Sequence, residues 1–249
     1  MEPSPVGRLL KHWRAQRRMS QLALANQAGV TPRHVSFVES GRAQPSREMV
    51  LTLTRALDVP LRERNALLLA AGYAPQYRET GLDDASMERV RAALDAMLAH
   101  QEHPAVVMDR HWNIVRTNAA ADELFGWLLA GADPGDPPNV VRLMFGPLRA
   151  HVANFELTGE ALLQRVHREA VGGVPDLTTR RLLDEVLALP GIPEGWRRPD
   201  FASTPLPVLP VVFSKDGSDR SYFSLVTTVG TPHDITLQEL RVETFFPAG

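Results

Sequence analysis

The stretch Ser20-Gln21-Leu22-Ala23-Leu24-Ala25-Asn26-Gln27-Ala28-Gly29-Val30-Thr31-Pro32-Arg33-His34-Val35-Ser36-Phe37-Val38-Glu39-Ser40-Gly41-Arg42 decides the fold of the first third of the chain. Ser20 is a good N-cap, since its hydroxyl can accept from a backbone N–H that the first helical turn leaves without a partner. The helix it opens runs to about Ala28, where Gly29 supplies the left-handed residue expected just past a helix end. Thr31 caps a second helix, with Pro32 at its first position, where a missing N–H costs nothing. Val35 and Val38 face inward on that helix and Gly41 closes it. Ala25 is small where the two helices cross.

Three more helical patterns surround this pair. Val6 to Arg17 places Val6, Leu9, Leu10 and Trp13 on one face. Pro45-Ser46 starts a helix that buries Met49, Val50, Leu53, Ala56 and Leu57, and another runs from about Leu61 to Ala71 before Gly72. Helices this short need mutual packing to persist, so residues 1–75 are expected to form a compact all-α domain of five helices. Residues 73–82 read as a linker. Asp83 or Asp84 can cap a helix to about His100 with Met87, Val90, Leu94, Met97 and Leu98 on its apolar face. That face either packs on its neighbours or pairs with a second copy of the chain. The segment 76–103 is accordingly set apart as a linker and a candidate dimerisation helix, with both uses of its apolar face open.

Charge divides at the same place. Residues 1–78 hold 12 Lys/Arg against 5 Asp/Glu, while the whole chain of 249 residues carries a net charge of −2. A basic third on an acidic body suits an anion-binding module. There is no cysteine, which excludes disulfides, thiolate catalysis and Cys-based zinc sites and fits a reducing, cytoplasmic setting. The start, Met1-Glu2-Pro3-Ser4-Pro5, lacks the apolar core of a signal peptide. No run of about 18 apolar residues is present to span a membrane.

The pattern changes at Pro104. Ala105 to Met108 is a short apolar run, Asp109-Arg110 a polar turn, and Trp112 to Thr117 alternates, which together read as a β-hairpin. Asn118 caps an Ala-rich helix to about Leu129. Helical segments are expected at 139–145, 147–152, 158–171 and 178–188, with Gly172-Gly173 as a loop. Strand-like runs follow at Pro207–Phe213, Arg220–Val229 and Thr236–Phe246. Strands, then helices, then strands is an α+β order with an antiparallel sheet, placed over residues 104–249.

The Ser20–Arg42 stretch resembles the Xre/Cro family of helix-turn-helix domains, of the lambda-repressor type, and the resemblance extends from residue 6 to about 72. It implies that Arg14 and Glu39 pair as structural support. It implies base contacts at Pro32, Arg33, Ser36 and Phe37, with Gln21 and His34 at the DNA backbone. Arg33 has the chemistry to bind guanine O6 and N7 with two hydrogen bonds. Phe37 suits a thymine methyl, or else the core. Arg42, Arg47, Lys11, Arg17 and Arg18 are the further backbone candidates, and such contacts fix position without reading sequence.

The order Pro104 to Ala121 looks like the opening of a PAS-type sensor, and Asn139-Val140-Val141-Arg142-Leu143-Met144-Phe145 strengthens that likeness. Joined to the head, this resembles MmyB-like regulators, in which an Xre-type head precedes a PAS-like ligand-binding domain. The resemblance implies a dimeric transcription regulator on an inverted repeat in double-stranded DNA, controlled by a small apolar molecule such as a fatty acid. The candidate pocket residues are Leu124, Phe125, Trp127, Leu128, Phe145, Leu148, Phe155, Phe213, Tyr222 and Phe223, with Arg142, Arg149 or His151 for a carboxylate. These aromatics equally suit an ordinary core, and a protein-docking module is the rival use of the domain. No nucleophile elbow, Walker loop or dinucleotide fingerprint occurs, so no catalytic residue and no enzymatic activity are expected. His100, Glu102 and His103 lack the further partners a metal site needs, so no metal is expected either.

Overall fold

The computed structural model describes residues 4–171, 176–198 and 210–248. The chain forms two compact units. The first comprises residues up to Thr80 together with Thr231–Gln238, and the second comprises Gly81–Gly230 and Glu239 onward.

In the first unit, α1 (Pro5–Gln16), α2 (Gln21–Ala28), α3 (Pro32–Glu39), α4 (Arg47–Ala56) and α5 (Leu61–Ala70) follow the expected pattern within a residue or so at each end. Their starts are capped as side-chain chemistry requires. Ser4, Ser20, Thr31 and Ser46 accept from the N–H groups of Gly7, Ala23, His34 and Met49 at 3.0–3.2 Å. Gly29 lies in the left-handed region at φ 67°. Val6, Leu10, Trp13, Leu24, Ala25, Val35, Val38, Val50, Leu53, Leu67 and Leu68 make one core.

Two features of this unit carry no local signal in the sequence. A Cβ on Gly7 would meet the carbonyl oxygens of Val38 and Glu39 at 2.6 and 2.7 Å, so α1 crosses the end of α3 closely only because residue 7 is glycine. The N-terminus of α5 follows Pro60, which offers no side-chain cap. Gln238 supplies one instead, its Oε1 accepting from Leu61 N at 2.6 Å. Nearby, Thr80 Oγ1 donates to Asp234 at 2.7 Å and Ile235 N to the carbonyl of Arg78 at 2.8 Å.

In the second unit, Asp84 caps a 3₁₀ turn at Ala85–Met87, which leads into α6 (Glu88–Ala99). Met87, Leu94 and Leu98 are buried, whereas Met97 stays 42% exposed. The strands β1 (Ala105–Met108) and β2 (Ile114–Thr117) form the expected hairpin, followed by α7 (Ala119–Leu129), α8 (Val140–Phe145), α9 (Phe155–Val171) and α10 (Leu177–Leu187). Then come β3 (Val211–Lys215), β4 (Ser218–Thr228), α11 (Ile235–Glu239) and β5 (Arg241–Pro247). All pairings are antiparallel, in the order β2-β1-β5-β4-β3.

The segment 147–152 is a 3₁₀ turn at Arg149–His151 rather than a longer helix, and α9 begins at Phe155, three positions before the expected start. The expected strand from Thr236 is divided. Asp234 Oδ1 accepts from Thr236 N at 2.9 Å and opens α11, so β5 begins only at Arg241. The loop expected at Gly172-Gly173 and the first residues of the Pro207 strand lie outside the described residues. Among the described residues no helix is long and apolar enough to cross a membrane.

Alternation along β5 gives the sheet two different faces. Glu243 and Phe245 look into a cavity beneath α7, α8 and α9, while Val242, Thr244 and Phe246 line a smaller hollow with Met97 and Leu98 of α6.

Candidate DNA interface and ligand cavity

On α3, Val35 and Val38 are fully buried, while Pro32 and Arg33 stand exposed at the N-terminal tip and Ser36 and Phe37 are half-buried. Phe37 is neither core nor fully exposed. The Arg33 guanidinium sits 5.1 Å from its ring centroid and that of Arg42 5.9 Å, so one ring organises two cations at the exposed side of α3. His34 Nε2 is buried and has no hydrogen-bond partner among the described residues.

The end of α3 is locked from below. Glu39, 4% exposed, receives Arg14 Nε at 2.6 Å and Nη2 at 2.9 Å. Arg14 Nη1 also donates to the carbonyl of Met19 at 2.8 Å. The hydrogen bond to Glu39 raises the Arg14 pKa above its ordinary value against the opposing effect of burial. Gln21 Nε2 donates to the same carboxylate at 2.8 Å, so Gln21 ties the start of α2 to the end of α3. Lys11, Arg18 and Arg42 are exposed, and Arg47 donates to Gln76 at 3.0 Å while remaining at the surface. Arg17, expected at the DNA backbone, has a structural use within the first unit as well. Its guanidinium donates to the carbonyls of Leu57 and Asp58 at 2.8 and 2.6 Å and so caps the C-terminus of α4.

The second unit contains a partly open cavity of about 320 Å³, within the range that small-molecule sites occupy. Thr158, Ala161, Leu162 and Arg165 form its α9 wall, spaced as one helix face. Leu124 and Phe125 of α7, Val140, Leu143 and Met144 of α8, and Phe213, Ser224, Glu243 and Phe245 of the sheet complete most of the rest.

Trp112 is among the lining residues and is 1% exposed at φ 70°, a backbone setting uncommon for an aromatic residue. The turn before it explains the placement. Asp109 Oδ1 accepts from the N–H groups of His111 and Asn113 at 2.8 and 2.9 Å. Asn139 Nδ2 donates to the carbonyl of His111 at 2.8 Å, and its Oδ1 accepts from Val141 N at 3.1 Å to cap α8. Arg165 and Arg241 then stack on the indole at 4.6 and 5.1 Å. Both arginines also reach Glu169, at 3.5 and 2.7 Å.

A family model described as the MmyB-like transcription regulator ligand binding domain matches residues 90–249. The chain belongs to this family. A helix-turn-helix domain model matches residues 5–67 of the MmyB-like regulator, which is therefore a DNA-binding transcription regulator with a ligand-binding domain. The regulator is also similar to a solved structure, "Crystal structure of the clp gene regulator ClgR from C. glutamicum". The likeness is at 26% identity over 28% of this chain and 87% of that one, with a TM-score of 0.25. No curated protein matches.

Within the regulator's cavity, Leu124, Phe125, Leu148 and Phe213 stand where the sequence reading placed them. Other expected pocket residues lie elsewhere. Phe145 and Phe155 pack edge to face at 5.4 Å in the core with Trp196. Leu128 is buried in the adjoining core. Trp127 lies under Arg220 at 4.4 Å. Tyr222 packs beside Phe213, and Phe223 stacks on Phe246 at the opposite sheet face.

The expected carboxylate holders are also not part of the lining. Arg142 pairs with Glu185 at 2.9 Å, and Arg149 donates to the carbonyls of Pro190 and Gly191 at 2.8 Å. His151 belongs to the 3₁₀ turn outside the lining. Arg165 and Glu243 are the charged residues that do line it. The signals available were the 158–165 helix stripe and a lone carboxylate inside the apolar strand Arg241–Pro247. His100 and His103 are turned to other uses, His100 Nδ1 meeting the carbonyl of Ala96 at 2.7 Å and His103 packing on Phe246 at 4.9 Å. Among the described residues no group of three or more His, Asp or Glu is placed to hold a metal ion.

Proposed function

We propose that this regulator acts in the cytoplasm as a homodimer on an inverted repeat and changes its DNA affinity when a small, mostly apolar molecule of fatty-acyl type fills the second unit. The cavity carries the reading: apolar side chains dominate its wall, and few polar groups converge on it. That lining suits binding rather than catalysis, so the chain is read as a non-enzyme without a resident cofactor. In the head, Arg33 at the tip of α3 is the base-reading residue, positioned for the major groove as in other helix-turn-helix domains. Arg42 is assigned to phosphate.

Coupling requires that the ligand favour one arrangement of the dimer over another. Two covalent routes are available for it. One is α6, which precedes β1. The other is residues 231–238, which belong to the first unit although they are flanked by β4 and β5, the strands of Ser224, Glu243 and Phe245.

Native mass spectrometry of the full chain, followed by duplex titration before and after extraction of any bound molecule, tests this reading. The expected result is a dimer with an apolar passenger whose removal changes DNA affinity by about 5- to 150-fold. A monomer on its DNA, or an affinity indifferent to extraction, would contradict it.

A further inference from the structure

The helix α11 spans five residues, Ile235–Glu239, and the boundary between the two units falls inside it. Its last two residues serve different units. Gln238 Oε1 accepts from Leu61 N of α5 at 2.6 Å, a contact within the first unit. Glu239 Oε1 accepts from Arg110 Nη1 at 3.3 Å, a contact within the second, and Arg110 also donates to Asp176 at 2.9 Å. Arg110 lies in the turn between β1 and β2. A single planar peptide bond joins Gln238 to Glu239, so a shift of one residue carries the other with it.

The chain is held on both sides of this bond. Ahead of it, Asp234 accepts from Thr80 Oγ1 at 2.7 Å and from Thr236 N at 2.9 Å, and Ile235 N donates to the carbonyl of Arg78 at 2.8 Å. Behind it, β5 opens with Arg241, which donates through Nη1 and Nη2 to Glu169 of α9 at 2.7 and 3.0 Å. Both elements of that pair line the cavity, α9 through Ala161 and Leu162 and β5 through Glu243 and Phe245. A ligand that spreads α9 from β5 therefore pulls on a charge-assisted pair two residues from Glu239.

The receiving end is sensitive to such a pull. After Pro60, α5 has no side-chain cap of its own, so the Leu61 N–H relies on Gln238. Leu67 and Leu68 of α5 share one core with Val35 and Val38 of α3. A cap that is either made or broken is a two-state element of the kind that coupling between sites requires.

We propose that α11 transmits occupancy of the cavity to the head by making or breaking the Gln238 cap on α5, and that this route, rather than α6, carries the regulation. The proposal rests on the ligand reading above and names its path.

The test uses the full-length protein, decanoic acid as the probe, and a duplex selected from a random library by the unaltered protein. Decanoic acid is expected to change the DNA affinity of the unaltered protein by about fivefold or more, and hydrogen exchange at Leu61 should change with it. Gln238→Ala is expected to bind decanoic acid as before and to bring the ratio of DNA affinities with and without it close to one. Gln238→Glu keeps an acceptor at a helix N-terminus, where negative charge is favourable, and is expected to retain the ratio. A cap that merely supports the head would lower both DNA affinities alike and leave the ratio intact. That result in Gln238→Ala, or exchange at Leu61 indifferent to decanoic acid in the unaltered protein, which needs no variant to fold, overturns the route while leaving the ligand reading standing. Decanoic acid that does not bind, or binds without effect on DNA affinity in the unaltered protein, overturns both.

Discussion

The guanidinium of Arg14 grips the carboxylate of Glu39 through two hydrogen bonds, 2.6 and 2.9 Å long, and so fastens α1 to the last turn of α3. The pair is largely buried, with side-chain exposures of 14% and 4%. Removing one partner strands the other charge and also releases Gln21. Glu39→Ala is expected to cost about 3–5 kcal/mol of stability, measured by urea unfolding of the full chain. A change within about 0.5 kcal/mol, typical of surface positions, would mean that the pair does not hold the head together.

The cap on α5 offers a second test. Gln238 lies 177 positions from Leu61, whose N–H it accepts. Gln238→Ala is expected to destabilise the first unit by about 0.5–2 kcal/mol, as loss of a helix cap does. Hydrogen exchange should locate the effect in the first turn of α5, and unchanged protection there would contradict the assignment.

Acid sensitivity should centre on Asp176. Its Oδ2 receives Thr179 Oγ1 at 2.6 Å, Arg110 Nη2 at 2.9 Å and His111 Nε2 at 3.1 Å, while Arg110 also reaches Glu239 at 3.3 Å. Burial pushes the carboxyl up, but Thr179, Arg110, His111 and the Thr178 N–H together bring it below its ordinary value. A lowered folded-state value means that the unfolded chain takes up the proton first. The stabilisation is therefore complete above the ordinary aspartate range, near about pH 4, and is lost as pH falls through the lowered folded value. Asp176→Asn is expected to flatten the acid limb of a stability–pH curve below that range, and a curve with the same acid limb would contradict it.

Much of this architecture was legible in sequence because its signals are local. Ser20, Gly29 and Thr31 specify the two central helices through their own caps, and Asn118 opens α7 the same way. What escaped depends on distant partners. Gly7 shows its purpose only where α1 meets Val38 and Glu39. Gln238 caps a helix from the far end of the chain.

In the cavity, the helical stripe ending in Arg165 was readable in principle. The choice between Arg165 and Arg142 was not, since it turns on Glu185 and Glu169 standing where they do. Trp112 carries a cue of its own in the turn begun by Asp109. The reach of Asn139 to that turn is a tertiary event.

Arg42 should act on all DNA sequences alike. It is exposed and braced against Phe37 at 5.9 Å. Arg42→Ala is expected to weaken binding uniformly and to reduce the slope of log affinity against log salt by about one unit. A loss confined to one operator sequence would instead mark it as a base reader.

The claim that α3 reads DNA through Arg33 is tested most directly by selecting binding sites from a random duplex library with the unaltered protein and with Arg33→Ala. The unaltered protein is expected to enrich a two-part site, and the variant to lose preference at one base step per half-site, worth about 1–3 kcal/mol. Identical enriched sequences from both proteins, or no enrichment by the unaltered one, would contradict the account.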